Sequence, residues 1–120
     1  MSKIRLWTVS AGLAFALLGC GGAPKPEARL SSDEGAIRGA EEAGAGRVPE
    51  ATLHMKLAQE QRQQAIDAMK NGDNHRAALL LARSEADAEL ALALAHQSSA
   101  TADAQQAREA DGALHQKAGQ

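Results

Sequence analysis

Apolar and polar positions divide the chain into four stretches. From Leu6 to Leu18 the chain is continuously uncharged and mostly apolar, preceded by the basic start Met1-Ser2-Lys3-Ile4-Arg5. Such a run rises only about 20 Å as a helix, short of a hydrocarbon core of about 30 Å, so it reads as a cleaved secretion signal rather than a permanent span. The next predicted element is a weak helix over 32–43, opened by a capping box in which Ser31 accepts from a backbone N–H and Glu34 reaches back. Gly35 and Gly39 weaken it by about 1 kcal/mol each relative to alanine. After the break Gly44-Ala45-Gly46-Arg47-Val48, Pro49 suits the first position of a second helix. Leu53, Leu57, Ala65, Ala68 and Met69 recur at helical spacing, which predicts an amphipathic helix to about Lys70. Asn71-Gly72-Asp73 closes it, with Gly72 in the left-handed conformation and Asp73 or Asn74 capping the next helix. The last stretch, 74–117, has no proline and no glycine before Gly112.

In that last stretch Leu79, Ala86, Ala93, Ala100, Ala107 and Leu114 fall at seven-residue intervals. The companion positions Glu89, His96 and Asp103 interrupt a regular coiled coil. The segment up to about His96 is expected to fold back on the second helix as an antiparallel pair, with 97–120 fraying or projecting. The predicted fold is therefore all-α: an Ala-rich antiparallel helical hairpin, joined by a third helix where the weak first segment holds.

The end of the first apolar run defines its type. Leu17-Leu18-Gly19-Cys20 resembles the lipobox of bacterial lipoproteins, which implies cleavage before Cys20 and acylation of that residue, with Leu17, Leu18 and Gly19 read by the signal peptidase. The resulting division is a signal peptide at 1–19, a lipidated Cys20 with a Gly/Pro tether at 20–31, a helical hairpin at 32–96 and an Ala/Gln-rich, partly frayed helical extension at 97–120. Gly21, where an aspartate would signal inner-membrane retention, implies the periplasmic face of the outer membrane.

Cleavage after Gly19 removes Lys3 and Arg5 but no acid, so the formal charge moves from −2 to −4. It also removes Trp7 and Phe15, the only aromatic residues. Without stacking platforms or a basic balance, the mature chain is not built to bind nucleic acid. Cys20 is the only cysteine, so no intrachain disulfide is available. Large aliphatic residues are few after Cys20 and alanine fills most other apolar positions, which favours helix but limits the core.

The Pro-initiated helix, the spacing Ala65, Ala68, Gly72-Asp73, Ala77-Ala78 and the run from Leu81 to Ala91 together resemble the bacterial domain of unknown function 4398, over about Ser32 to Ala95. The resemblance implies a helical hairpin in a small envelope lipoprotein. Where that family commonly carries aromatic residues, this chain has Arg47-Val48 and Asn74-His75, so a thinner core is expected.

Candidate chemistry is sparse. Glu50 with His54, and Asp111 with His115, lie four apart on one helix face, which supplies half a metal site at most. Glu85, Asp87 and Glu89 form the densest acidic cluster, read as solubilising an Ala-rich helix. There is no HExxH pair, nucleophile elbow or phosphate-binding glycine loop, so no catalytic, cofactor-binding or metal residue is assigned and the chain reads as a non-enzyme. The leading expectation is a lipid-anchored structural or interaction protein, held in the membrane by acyl chains on Cys20 and facing an envelope protein or a peptidoglycan-associated partner. Two other readings are a self-assembling coiled coil and a metal-binding protein using His54, His75, His96 and His115.

Overall fold

A computed structural model describes residues 22–119, so the signal segment, the lipobox and Cys20 lie outside the described residues. The described chain is all-α. Helix α1 spans Glu27–Glu42, α2 spans Pro49–Lys70 and α3 spans Asn74–Ala118, with a short 3-10 turn over Ala45–Arg47.

Helix α1 begins at Glu27, ahead of the expected start at residue 32. Pro26 precedes it without a side-chain cap, and Leu30 N–H already bonds to Pro26 O at 3.0 Å. Ser31 is thus inside the helix, and the expected capping box with Glu34 does not form. The tether is correspondingly shorter. Proline can stand here because it leaves the helix's own amides free to start the ladder one turn later.

The two turns obey the local chemistry. Gly44 takes φ +87° after α1, and Arg47 N–H and Val48 N–H close the 3-10 turn on Gly44 O and Ala45 O. Thr52 Oγ1 donates back to Val48 O (3.0 Å) and Ala45 O (3.2 Å), fastening the turn to the first turn of α2. At the other end of α2, Gly72 takes φ +77°, Asp73 N–H bonds to Ala68 O and Gly72 N–H to Met69 O. That pair of bonds is the Schellman closure, which satisfies carbonyls a helix end otherwise leaves open. The Asp73 carboxylate accepts from Arg76 N–H at 3.1 Å and caps α3.

Helix α3 is the spine. It packs along both α1 and α2, which touch each other only sparingly. Two apolar clusters lie along it. One joins Leu30 to Ala65, Ala68, Met69, Ala77, Leu80 and Leu81 near the α2–α3 turn. The other joins Ile37, Ala40 and Ala45 to Ala51, Met55 and Ala58 and to Ala88, Ala91 and Ala95 near the α1–α2 turn. Residue order through these clusters makes α1 and α3 run the same way with α2 reversed between the turns.

The buried face of α2 is Ala51, Met55, Ala58, Ala65 and Ala68, and Leu53 is 56% exposed. Ala65 and Ala68 of the expected face are thus buried and Leu57 and Met69 half-buried. Leu53 points out, and Ala51, Met55 and Ala58 take the contact at the start of α2, because alanines let the backbones of α2 and α3 approach where leucine would hold them apart. The seven-residue series on α3 also faces out: Leu79 and Leu114 are 54% and 66% exposed, with Ala86, Ala93, Ala100 and Ala107 between them exposed as well.

Beyond Ala95, α3 continues without a break to Ala118, and every residue from His96 to Gly119 is exposed. It projects about 33 Å past the end closed by the α1–α2 turn. Its first turns are already built on the bundle, so the helix propagates without a new nucleation step. Removal of residues 97–119 is expected to leave the thermal midpoint of the remaining bundle within about 3 °C, while helical circular dichroism falls in proportion to the residues lost. A larger drop in midpoint, read by thermal melts of both lengths, would show that the extension packs on the bundle.

Candidate functional site: a polar layer between two apolar clusters

On each helix the two apolar clusters are separated by a polar position at the same level. On α1, Asp33 lies between Leu30 and Ile37; on α2, Gln61 and Arg62 lie between Ala58 and Ala65; on α3, Ser84 lies between Leu81 and Ala88. These residues form a layer across the bundle.

Asp33 is fully buried, and Arg62, whose side chain is 31% exposed, brings Nε to 3.5 Å from Asp33 Oδ2. The Arg62 Nη2 is also 3.4 Å from Glu34 Oε2. Ser84, fully buried as well, donates its one hydroxyl proton to Ala58 O at 2.7 Å. Neither carboxylate oxygen of Asp33 has a hydrogen-bond donor at bonding geometry. Burial pushes the Asp33 carboxyl above its ordinary range; the Arg62 charge offsets this in part, while Glu85 and Glu34 add to it, and the neighbouring Ser84 hydroxyl has its proton committed to Ala58 O. An acid lifted in this way is a source of strain, since a buried carboxylate with incomplete partners loses more hydration than one guanidinium at this distance restores.

Around this centre the polar contacts link the helices in pairs. His54 Nδ1 is 2.8 Å from Asp87 Oδ1, and Gln61 Nε2 donates to the other oxygen of Asp87 at 2.8 Å, joining α2 to α3. Ser32 Oγ donates to Glu85 Oε1 at 2.6 Å, joining α1 to α3. Gln59 Nε2 donates to Glu41 Oε1 at 3.3 Å on the exposed side of α1 and α2.

The sequence-derived candidates are thereby redistributed. Of the three acids read as solubilising α3, Glu85 and Asp87 instead each serve a different neighbouring helix, and only Glu89 is exposed. His54 pairs with Asp87 on α3 rather than with Glu50 on its own helix. His115 does meet Asp111, at 3.6 Å and at high exposure, where such a pair contributes little. His75 and His96 are exposed, and among the described residues no group of three or more His, Cys, Asp and Glu side chains is placed to hold a metal ion. No described helix is long and apolar enough to cross a membrane.

Surface depressions are shallow. The groove between α1 and α2, about 430 Å³, is walled by Glu34, Arg38 and Glu41 on one side and Gln59 and Arg62 on the other. It opens to solvent and contains no pair of carboxyls in contrasting environments, the arrangement that acid–base catalysis uses. Asp33, whose carboxyl is raised by burial, points between helices rather than into a cleft. The sequence reading assigned Asp33 no role; its one visible signal is that it stands three after Leu30 and four before Ile37, on the apolar side of α1.

Comparison with protein-family models, curated proteins and solved structures gives no match for this chain.

Proposed function

We propose that this chain is a lipid-anchored envelope protein with a structural or protein-interaction role and no catalytic site. The observation that carries this reading is the succession of basic start, uncharged apolar run and Leu17-Leu18-Gly19-Cys20. The resemblance to the domain of unknown function 4398 belongs to the same proposal and adds the same location. With Gly21 after the cysteine, the proposed site is the periplasmic face of the outer membrane. Two or three acyl chains, at about 0.8 kcal/mol per buried CH2, hold a small domain far more firmly than the marginal single-chain case.

The arrangement of the described helices supports the reading. Asn74 Nδ2 donates to Ala23 O at 2.6 Å, so the segment leading from residue 22 meets the bundle at the α2–α3 turn. The α3 extension leaves from the opposite end, beside Val48 and Glu50. An anchored chain of this form presents its free helix away from the bilayer, toward a partner protein or cell-wall material.

Replacement of Cys20 by serine is expected to leave full-length precursor and to abolish incorporation of labelled fatty acid. Intact-mass measurement of membrane fractions checks both. A C20S chain that is still shortened and still retained in the membrane would end the proposal.

A further inference from the structure

Helix α1 is the least well held of the three. It contributes Ile37 and Ala40 as buried apolar residues and Leu30, Ala36 and Ala43 as partly buried ones, and it packs chiefly on α3. At its centre stands the buried Asp33 with both oxygens short of donors. Two further features weaken it without a packing reason. Gly35 and Gly39 are helical, and a Cβ at either would meet nothing within 4 Å. Alanine would fit at both and would strengthen the helix, so close approach does not demand glycine here. The helix ends on Gly44 at φ +87°, a pivot that an L side chain rarely adopts. By contrast α2 packs on α3 more extensively than α1 does, and the Ser84–Ala58 bond and the His54–Asp87–Gln61 contacts join α2 to α3 without any residue of α1.

We propose that α1 is a releasable strap on the α2–α3 hairpin, latched by a proton on Asp33 and pivoting at Gly44. The groups facing Asp33 are Arg62 from α2, Ser84 and Glu85 from α3, and Glu34 from α1 itself. With Asp33 protonated, the layer buries a neutral group; with Asp33 ionised, it buries a charge that Arg62 alone compensates at 3.5 Å. Release returns the carboxylate to water. Because docking raises this acid above its ordinary 3.8, the docked state binds the proton more tightly than the released one. Docking is therefore strongest at low pH and weakens as pH rises through the raised value. The carboxylates of Glu34 and Glu85 oppose ionisation of Asp33 and so strengthen the link between proton and docking.

The consequence for the cell rests on the lipid anchor proposed above, whereas the strap does not. Docked, α1 covers about 24 Å along the bundle; released and extended, residues 26–48 reach roughly 75 Å. Release would lengthen the leash between bilayer and hairpin and uncover the side of α3 that carries Ser84 and Ala88.

The test is hydrogen exchange by mass spectrometry on the full chain as isolated, from about pH 4.5 to about pH 8, corrected for intrinsic rates. At the upper end, α1 peptides are expected to exchange on the order of tenfold or more faster than those of α2 and of α3 before His96, and the gap is expected to narrow several-fold on acidification. Asp33→Asn should hold the gap nearly constant across the series. Gly39→Ala should slow α1 exchange at every pH while the slope survives, which separates helix strength from the proton link. Equal protection of α1 and α2 throughout, a gap in the wild type that ignores pH, or a slope that persists in Asp33→Asn would overturn the proposal. The wild-type series decides alone if the asparagine variant does not fold. A failed Cys20 test leaves this result untouched, and the reverse holds as well.

Discussion

Leu81→Ala is expected to lower the unfolding free energy by about 3 kcal/mol, a large fraction of the roughly 5–15 kcal/mol typical of small domains. Leu81 is the largest fully buried side chain among the described residues. It closes the apolar cluster at the α2–α3 turn, where its neighbours are Ala65, Ala68, Ala77 and Leu80, with Leu30 and Met69 against them. Three of those neighbours are alanines, which have no rotamers with which to fill the vacated space, so the loss approaches transfer plus cavity rather than transfer alone. Urea unfolding monitored by circular dichroism checks it: the midpoint should fall while the slope stays that of the parent. A loss below about 1 kcal/mol would mean that the helices close over the gap, and that the alanine packing is softer than its burial implies.

The opposite change at the other cluster is expected to be nearly as damaging. Ala88→Leu should destabilise by about 2–3 kcal/mol, because Ala88 is fully buried on α3 in the cluster shared with Ala51, Met55 and Ala58 of α2. The new side chain has no vacant volume and would force the two backbones apart. Separation would also stretch the Ser84 Oγ to Ala58 O bond one turn away, now 2.7 Å, and leave that buried hydroxyl without an acceptor. Ala93→Leu, five residues on and exposed, supplies the control and should lie within about 0.5 kcal/mol of the parent. Equal effects at the two positions would show that the α2–α3 contact tolerates bulk and is not set by alanine.

These two substitutions separate what pattern reading captured from what it missed. Pro49 at the start of α2, the left-handed Gly72, the Asp73 cap and the antiparallel return of α3 were all legible, because each depends on backbone preferences within a few residues. The start of α1 was not: Ser31 and Glu34 have the composition of a capping box, yet the helix starts at Glu27 and packs Leu30, half-buried, against the cluster at the α2–α3 turn. The buried face of α2 was legible at Ala65 and Ala68 but not in its first turns, where leucine spacing favours Leu53 and the structure buries Met55 among alanines.

The polar layer was the least accessible feature. Asp33, Arg62 and Ser84 are separated by 29 and 22 positions and meet only because two turns of fixed length bring three helices into one register. The spacing from Leu30 and to Ile37 puts Asp33 rather than the exposed Glu34 on the apolar side of α1, but nothing local shows what it meets there. Glu85 and Asp87, two apart and so about 200° around the helix, were legibly on different faces, but which neighbours those faces meet, Ser32 of α1 and His54 and Gln61 of α2, was not.

Sequence by itself determined the helical class, the positions of the two turns and the scarcity of large side chains for a core, because propensity, capping and composition act over one or two helical turns. Tertiary structure alone decided which faces close, that alanine rather than leucine sets the α2–α3 spacing, and that one carboxyl is trapped between three helices. Burial and its electrostatic consequence are properties of what surrounds a residue, and those surroundings are assembled from segments far apart in the chain.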